Sequence, residues 1–407
     1  MIATPTTVTR QRVYLAVSVA VGMLGAWWAL RPSWQVPLPT EANLAEVRMQ
    51  DFRDALYFPI REFLAGGNPY DPAAMFAHWP VRQDFNLYQP YHLILHLPFA
   101  LPGYRVGAVA FTVVALLLLV VLAYLAASRI PVPLALGTAG IAALLVLSQV
   151  GKAQLYLGQV NPLVAVGAAG ALLARFSHPR LAMLALAVAW LKPQFGLPLA
   201  ILLFARGSRR VAVGGTVAAA LASLPVVVLL VVRGGGLWPF LDVIRANLDH
   251  ATGTDYGAVD SLTAQRIDLS AVFFRVTEWL VAEPLVLVAV LAVSVVLVRR
   301  LDRDDNPAIA DLLTCLAVVV AVVHQPGDVL IAVPAMALAA YTWWGSRRAL
   351  WPVGLAVVAL AVPFAHLHLV DVAVRSVLGE RGSVTLDGVA VVVAWLALVF
   401  FAVRRTT

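Results

Sequence analysis

Two aspartates, Asp51 and Asp54, begin a stretch rich in charged and aromatic side chains. It reads DFRDALYFPIREFLAGGNPYD at residues 51–71. Apolar residues recur in its first half at helical spacing, which predicts a short amphipathic helix. A carboxylate that neighbouring aromatic side chains shield from water can act as a general base. An aspartate at a helix start also caps the helix, which is its commoner role and contributes about 1 kcal/mol. Both interpretations are open from the sequence.

Lys192 is the second candidate, because it lies in the middle of the apolar run 181–205. A charged side chain at membrane depth is costly, so such a residue usually has a function. An ammonium group at this place suits an anionic lipid phosphate, which it would bind as a point charge. The alternative is a lysine whose flexible stem lets its charge reach the membrane interface.

Amide and imidazole groups follow at three further positions. Gln159 and Asn161 offer donors and acceptors that suit sugar hydroxyls, although Asn161 followed by Pro162 also fits a capped helix start. His324 begins the polar turn HQPGD between two apolar runs. It could serve as a base, a phosphate partner or a metal ligand, and a solvated turn histidine is the simpler alternative.

Several reaction classes lack their sequence motifs. The chain has no HExxH, CxxC, P-loop or GxSxG pattern, so zinc hydrolysis, nucleotide-driven transport and serine hydrolysis find no support. His366 and His368 flank the last polar interval, and two histidines do not make a metal site without further ligands. No metal site is therefore predicted.

An unusually apolar composition sets the elements that position these residues. Of the 407 residues, 61% are hydrophobic and 13% are charged, with a mean hydropathy of +0.86. A soluble protein would carry about 25% charged residues. We therefore predict an all-α, polytopic integral membrane protein that forms a single domain over residues 1–407. The net charge of +7 is attributed to cytoplasmic loops and not to nucleic-acid binding. The only cysteine, Cys315, excludes an intrachain disulfide.

Ten apolar runs approach the roughly 20 residues that a transmembrane helix needs. These runs are 13–30, 106–127, 131–148, 160–174, 211–232, 282–298, 307–323, 328–345, 350–366 and 386–403. The first is interpreted as an uncleaved signal anchor. Residues 181–205 lie between two basic patches, and a single crossing would place one patch outside. We therefore expect a hairpin of two short helices, 181–191 and 194–205, that turns at Lys192 and Pro193.

With ten crossings and this hairpin, every arginine cluster between the spans falls on one side, together with both termini. That side is predicted to be the cytoplasm. The clusters are Arg10/Arg12, Arg129, Arg175/Arg180, Arg206/Arg209/Arg210, Arg299/Arg300/Arg303, Arg347/Arg348 and Arg404/Arg405. All but four of the 22 carboxylates then fall outside. The two largest outer segments are 31–105 and 233–281, so we expect the chemistry at the outer face.

In their order along the chain, five short motifs resemble glycosyltransferase family 87. They are the Asp-Phe step after the first span, the GNPYD turn, the Tyr-x-Pro step at 88–90, GQVN at 158–161 and LKP at 191–193. The resemblance extends over about residues 40–345. It implies a membrane enzyme of the GT-C fold that uses polyprenyl-phosphate sugars, as do the actinobacterial mannosyltransferases and arabinofuranosyltransferases of the cell envelope.

The resemblance also implies roles for individual residues. Asp51 would be the general base, and Lys192 would meet the donor phosphate with help from Arg61 or Arg53. The residues expected at the sugar or acceptor are Asp54, Gln159, Asn161, Tyr88 and His324. Two departures are visible: Tyr88-Gln89-Pro90 stands where the family often has Tyr-Pro-Pro, and the Ser and Trp that precede the late histidine in some members are missing.

The implied reaction is an inverting transfer of mannose or arabinofuranose from a polyprenyl-phosphate donor to a cell-envelope glycan or glycolipid. It would take place at the outer face of the plasma membrane, among membrane lipids, without a cofactor. A divalent metal is possible but not indicated.

Two other classes of protein are compatible with parts of the sequence. A break at Lys192-Pro193 also fits a transporter or flippase for a lipid-linked substrate. A transporter is expected to carry ionisable groups near the midplane on several helices, and often inverted repeats, whereas no repeat is found here. A non-catalytic lipid-binding or scaffold protein would leave Asp51 and Lys192 freely replaceable.

Overall fold

The computed structural model describes residues 5–262 and 266–404, and these residues form helices and connecting turns without a β-strand. The predicted all-α fold is confirmed. Arg405, one of the basic residues counted above, lies outside the described residues.

Within the described residues, fifteen helices of nine or more residues form the body of the molecule. They are Pro5–Gln35, Tyr104–Ala127, Leu134–Leu147, Gln149–Leu157, Asn161–Ala174, Pro179–Ala189, Pro193–Ala205, Arg209–Arg233, Leu237–Gly253, Leu269–Thr277, Glu283–Arg303, Pro307–Ala321, Val333–Gly345, Trp351–Ala365 and His368–Arg404. Short helical turns connect them. These turns are Glu41–Asn43, Phe52–Tyr57, Phe58–Leu64, Pro72–His78, His92–Leu95, Leu97–Ala100 and Pro326–Ala332.

Five of the described helices are long and apolar enough to cross a bilayer alone, and Pro326–Ala332 continuing into Val333–Gly345 gives a sixth span. A seventh results if the helices Leu134–Leu147 and Gln149–Leu157, bent by 66°, count as one. The polytopic membrane character is therefore confirmed. Ten crossings were predicted, and helix length supports fewer. The runs 160–174, 307–323 and 350–366 form helices of only 14 or 15 residues, because prolines and polar turns end them early.

The helix Pro307–Ala321 forms the centre of the core. Every residue from Ile309 to Ala321 is buried, and the helix contacts Glu283–Arg303, Pro193–Ala205 and His368–Arg404. A helix that is apolar on all sides is expected in a protein interior. One end of this helix carries Asp311, and the other leads into the turn with His324. It therefore connects two polar regions of the molecule.

The segment 179–205 consists of two helices separated at Lys192. The Arg175 guanidinium before the segment and the Arg206 guanidinium after it both donate to Oδ1 of Asp311, at 3.0 and 2.7 Å. Both ends of the segment therefore lie at the same level of the molecule, as a hairpin requires. Lys192 lies at the opposite end, between Ala189 and Pro193.

Candidate active site

A cavity of about 750 Å³ lies beside the turn of this hairpin. Its size is within the range of roughly 300–1,000 Å³ that is typical of ligand pockets. The polar and charged side chains that line it include Gln50, Asp51, Arg82, Tyr88, Gln159, Lys192, His324, Gln325, Asp328, His366, Asp371 and Asp387. The structure thus brings together Asp51, Lys192, Gln159, Tyr88 and His324 of the residues predicted from the sequence.

Asp51 does not cap a helix. Its backbone is helical, with φ −67° and ψ −35°, and its side chain makes no capping hydrogen bond. The carboxylate instead lies at the cavity, which Gln159 and Lys192 also line. Burial raises the pKa of Asp51 to about 6, although the charge of Lys192 and the side chain of Gln159 act in the opposite direction. A carboxylate with such a pKa is largely ionised at neutral pH and still basic enough to take a proton.

A π-helical turn, Phe52–Tyr57, directly follows Asp51. Phe52 anchors the turn: its ring is fully buried and packs on Phe111 and Tyr104, with centroids 5.3 and 5.7 Å apart. Gly158 makes this packing possible. It has φ +73°, and a Cβ on it would lie 2.7 Å from Cβ of Phe52. A residue larger than glycine at position 158 would therefore push the turn after Asp51 away.

Lys192 is buried, with 8% of its surface exposed, and has an extended backbone between the two hairpin helices. Its Nζ lies 3.9 Å from Oδ1 of Asp328. It also lies 5.8 Å from the ring centre of Tyr88 and 5.9 Å from that of Phe195. A separation of 3.9 Å is beyond hydrogen-bond length, so the ammonium is held mainly by charge and aromatic faces.

Asp328 connects the amides to the lysine. Its carboxylate accepts from the side-chain NH₂ of Asn161 and, at 2.9 Å, from the backbone N–H of Gln325. Asn161 also donates to Gln159 at 2.8 Å, and Gln159 donates to Oε1 of Gln325 at 3.1 Å. The helix that starts at Asn161 has Val160 as its cap residue, so Asn161 serves this network and not the predicted cap.

His324 lies under the cavity with 1% of its surface exposed. Its Nδ1–H donates to the carbonyl of Val322 at 2.8 Å, and its ring meets Phe195 edge-on at 4.5 Å. Its buried Nε2 has no hydrogen-bond partner among the described residues. Because burial lowers the pKa of His324, the imidazole is neutral near pH 7 and Nε2 is a free acceptor.

Tyr88 joins the outer segment to the hairpin. Its carbonyl accepts from the hydroxyl of Tyr70 at 2.9 Å, and the next N–H, of Gln89, donates to the carbonyl of Leu191 at 3.1 Å. Burial raises the pKa of the Tyr88 phenol well above its usual range, so the group stays a neutral donor. The Tyr-Gln-Pro step therefore attaches the outer segment to the hairpin beside Lys192.

A comparison with known protein families identifies the chain. The sequence profile of glycosyltransferase family 87 matches residues 86–326, more than half of the chain. The chain belongs to glycosyltransferase family 87. No curated protein and no solved structure matches it. The matched region includes Tyr88, Gln159, Lys192 and His324 of this glycosyltransferase, whereas Asp51 precedes it. Membership favours a membrane glycosyltransferase over a transporter, flippase or scaffold.

Four predicted site residues of the glycosyltransferase do not line the cavity. Asn161 contacts it only through Gln159 and Asp328, and the other three are Arg61, Arg53 and Asp54. Arg61 is exposed on Phe58–Leu64. Arg53 is buried and donates to the Asp54 carboxylate at 2.6 and 3.1 Å. Asp54 also accepts from the backbone N–H groups of Arg82 and Gln83, at 3.3 and 3.1 Å. Arg53 and Asp54 therefore neutralise each other. Because Asp54 also holds the backbone of Arg82 and Gln83, the pair positions the loop that carries Arg82.

The sequence reasoning missed Asp328 and Arg82 as site residues. Asp328 had a visible signal, because an acid at the start of an apolar run is costly unless it is paired. Arg82 had none, since its place on the cavity depends on the contact of its backbone with Asp54.

Among the described residues, no three His, Cys, Asp or Glu side chains are grouped so that they could hold a metal ion.

Proposed function

We propose that this glycosyltransferase is a GT-C-type enzyme that transfers mannose or arabinofuranose from a polyprenyl-phosphate donor to a glycan or glycolipid of the cell envelope. The reaction takes place at the outer face of the plasma membrane, with both termini in the cytoplasm. The observation that supports it is the shared cavity, which Asp51 and Gln159 line together with Lys192, close enough for the ammonium charge to act on Asp51.

In the proposed reaction, Asp51 accepts the proton of an acceptor hydroxyl as its oxygen attacks the anomeric carbon of the donor sugar. The bond from that carbon to the phosphate oxygen breaks, and the phosphate leaves with the electron pair. Lys192 offsets the negative charge that develops on the leaving group. A single displacement inverts the anomeric centre. Gln159, Tyr88 and Nε2 of His324 supply hydrogen bonds to the hydroxyls of the sugar.

The charge of the cavity supports a donor with one negative charge. Arg82 and Lys192 are the two permanent cations among the lining residues that the structure describes. The carboxylates in the same lining are Asp51, Asp255, Glu283, Asp328, Asp371 and Asp387. A site with this excess of acids disfavours the doubly charged diphosphate of a nucleotide sugar more strongly than a singly charged lipid phosphodiester.

The test is transfer by the purified protein in lipid nanodiscs. Polyprenyl-phosphate mannose, polyprenyl-phosphate arabinofuranose and the matching nucleotide sugars are supplied separately with a crude envelope-lipid acceptor fraction. We expect transfer from a polyprenyl-phosphate donor with an inverted linkage in the product. Transfer from a nucleotide sugar alone, or retention at the anomeric carbon, would contradict the proposal.

Asp51→Asn is the sharpest variant for this assay. The amide keeps the size of the side chain but cannot accept the proton, so we expect transfer to fall by about 10²–10⁴-fold. Folding and donor binding should stay at the wild-type level. Asp71→Asn is the matched control: Asp71 accepts from the N–H of Ala73 at 3.0 Å as a helix cap, and asparagine caps equally well. Full turnover by the Asp51 variant would remove this residue from the role of base.

A further inference from the structure

A second polar cluster lines the same cavity, formed by His366, Asp371 and Asp387. His366 Nδ1 lies 2.9 Å from Oδ1 of Asp387, and its Nε2 lies 3.7 Å from Oδ1 of Asp371. Asp371 is itself held by Nε of Arg375 at 3.1 Å and by the hydroxyl of Ser383. Asp371 is thus oriented by partners behind it, whereas the partner of Asp387 is His366 itself.

The cluster borders the site already described. The helix Trp351–Ala365 leads directly into His366 and contacts both Gln149–Leu157 and Pro326–Ala332. The second of these carries Asp328, the partner of Lys192. The cluster residues follow residue 326, where the family match ends. Family membership therefore assigns them nothing, and they belong to the part of the chain in which acceptor preference can differ.

One atom of the cluster lacks a partner. His366 is 8% exposed, and its Nε2 has no hydrogen-bond partner among the described residues, because 3.7 Å is too long for a bond with Asp371. Leaving a buried polar atom unbonded is costly. With Nδ1–H donating to Asp387, Nε2 has unused hydrogen-bonding capacity, which a ligand hydroxyl group, able both to donate and to accept, can fill.

The chemistry of the cluster selects among ligands. Two carboxylates beside an imidazole disfavour an anion and attract several O–H donors at once. The three side chains are not grouped as a metal-binding set. A polyhydroxylated, uncharged ligand meets these conditions, and Lys192, the cation suited to a phosphate, lies with Asp328 elsewhere on the same cavity.

We infer that His366, Asp371 and Asp387 form an acceptor subsite that binds the non-reacting hydroxyl groups of a neutral sugar while its reacting hydroxyl reaches Asp51. This inference rests on the proposed function. The cavity volume of about 750 Å³ leaves room for a sugar at each cluster. The subsite would determine which acceptor the enzyme takes, and it would have no part in proton transfer.

Binding of simple sugars tests the subsite without turnover. Methyl α-D-mannopyranoside and methyl α-D-arabinofuranoside are titrated against the full-length protein in nanodiscs by saturation-transfer NMR. The variant His366→Asn retains an amide at the place of Nδ1, for Asp387, and removes Nε2. We expect it to weaken glycoside binding by about tenfold. His366→Gln places an amide near Nε2 and should recover part of the affinity. Asp387→Asn should weaken binding as well.

The control is a histidine–carboxylate pair away from the cavity. His78 Nδ1 lies 3.1 Å from Oε1 of Glu62, and His78→Asn should leave glycoside binding unchanged. Wild-type affinity in both His366→Asn and Asp387→Asn, or no glycoside binding by the wild-type protein, would overturn the subsite.

The two proposals fail separately. If the variants lose glycoside binding and the wild-type protein uses no polyprenyl-phosphate sugar, the subsite stands and the proposed reaction falls. If transfer occurs and the KM for the acceptor is the same in His366→Asn as in the wild type, the reaction stands and the subsite falls.

Discussion

The hairpin 179–205 has a charged group at each end, and the two ends are bonded very differently. At its base, Arg206 donates to both oxygens of Asp302 at 2.7 Å, to Asp311 at 2.7 Å and to the hydroxyl of Thr314 at 3.1 Å. At its turn, Lys192 has one carboxylate partner, Asp328, at 3.9 Å. Both cations are buried.

This difference separates a structural charge from one that is available to a ligand. A buried ion pair contributes little net stability, but removal of one partner is strongly destabilising because the other charge is left uncompensated. The base contains such a network, with short bonds on every side. The turn instead has an ammonium beside a cavity with hydrogen-bonding capacity left over. The base therefore fixes where the turn lies, and the turn can meet a substrate.

The largest effect that this comparison predicts is on stability, at the base. Asp311→Asn leaves the guanidinium groups of Arg175 and Arg206 without their shared carboxylate. We expect the free energy of unfolding to fall by about 3–5 kcal/mol, measured by denaturant titration of the protein in detergent micelles. Asp302→Asn is the control on the same arginine. Its carboxylate is 26% exposed, so a smaller loss is expected. Equal losses in both variants would contradict the assignment of Asp311 as the centre of the network.

The features that the sequence could predict are those set by composition and local pattern. A mean hydropathy of +0.86 predicts helices in a membrane, and a Lys-Pro step between arginine patches predicts a break at residue 192. The number of membrane crossings was harder to predict from the sequence. It depends on where each helix ends, and the end of Pro307–Ala321 is set by packing around the His324 turn and not by its apolar pattern.

The sequence likewise predicted part of the candidate site. Asp51 and Lys192 stood out because charge is rare in this chain, and both line one cavity. The partners of a charge are set by tertiary contacts, so the sequence could not show that Arg53 pairs with Asp54 or that Asp328 faces Lys192. The sequence did not indicate a third acid, Asp387, for the same reason, since its partner His366 lies in the turn that precedes the helix His368–Arg404.

At the turn of the hairpin, the expected change is in donor recognition. Lys192→Gln removes a charge whose carboxylate contact among the described residues is long, and Asp328 keeps its bonds to Asn161 and Gln325. We expect the free energy of unfolding to fall by less than in Asp311→Asn, because these bonds still compensate the Asp328 carboxylate. The loss of one charge-assisted contact to phosphate should raise the KM for the lipid donor by about 10–100-fold.

The other lysine of the chain supplies the control for this experiment. Lys152 is exposed on the helix Gln149–Leu157, so Lys152→Gln should leave both stability and the KM for the donor unchanged. A Lys192→Gln protein that is as unstable as Asp311→Asn would remove the distinction between the two ends of the hairpin.

The smallest predicted effect is a pH dependence that reports the balance of charge at the turn. The pKa of Asp51 is about 6, so its ionised fraction, and with it kcat/KM, should fall about tenfold from pH 7 to pH 5. Lys192 lowers this pKa and Asp328 raises it. The inflection should therefore move to higher pH in Lys192→Gln and to lower pH in Asp328→Asn. Asp311→Asn should leave it in place, because that carboxylate lies at the other end of the hairpin. A rate profile that stays flat between pH 5 and 7 would show that Asp51 does not take the proton in the rate-determining step.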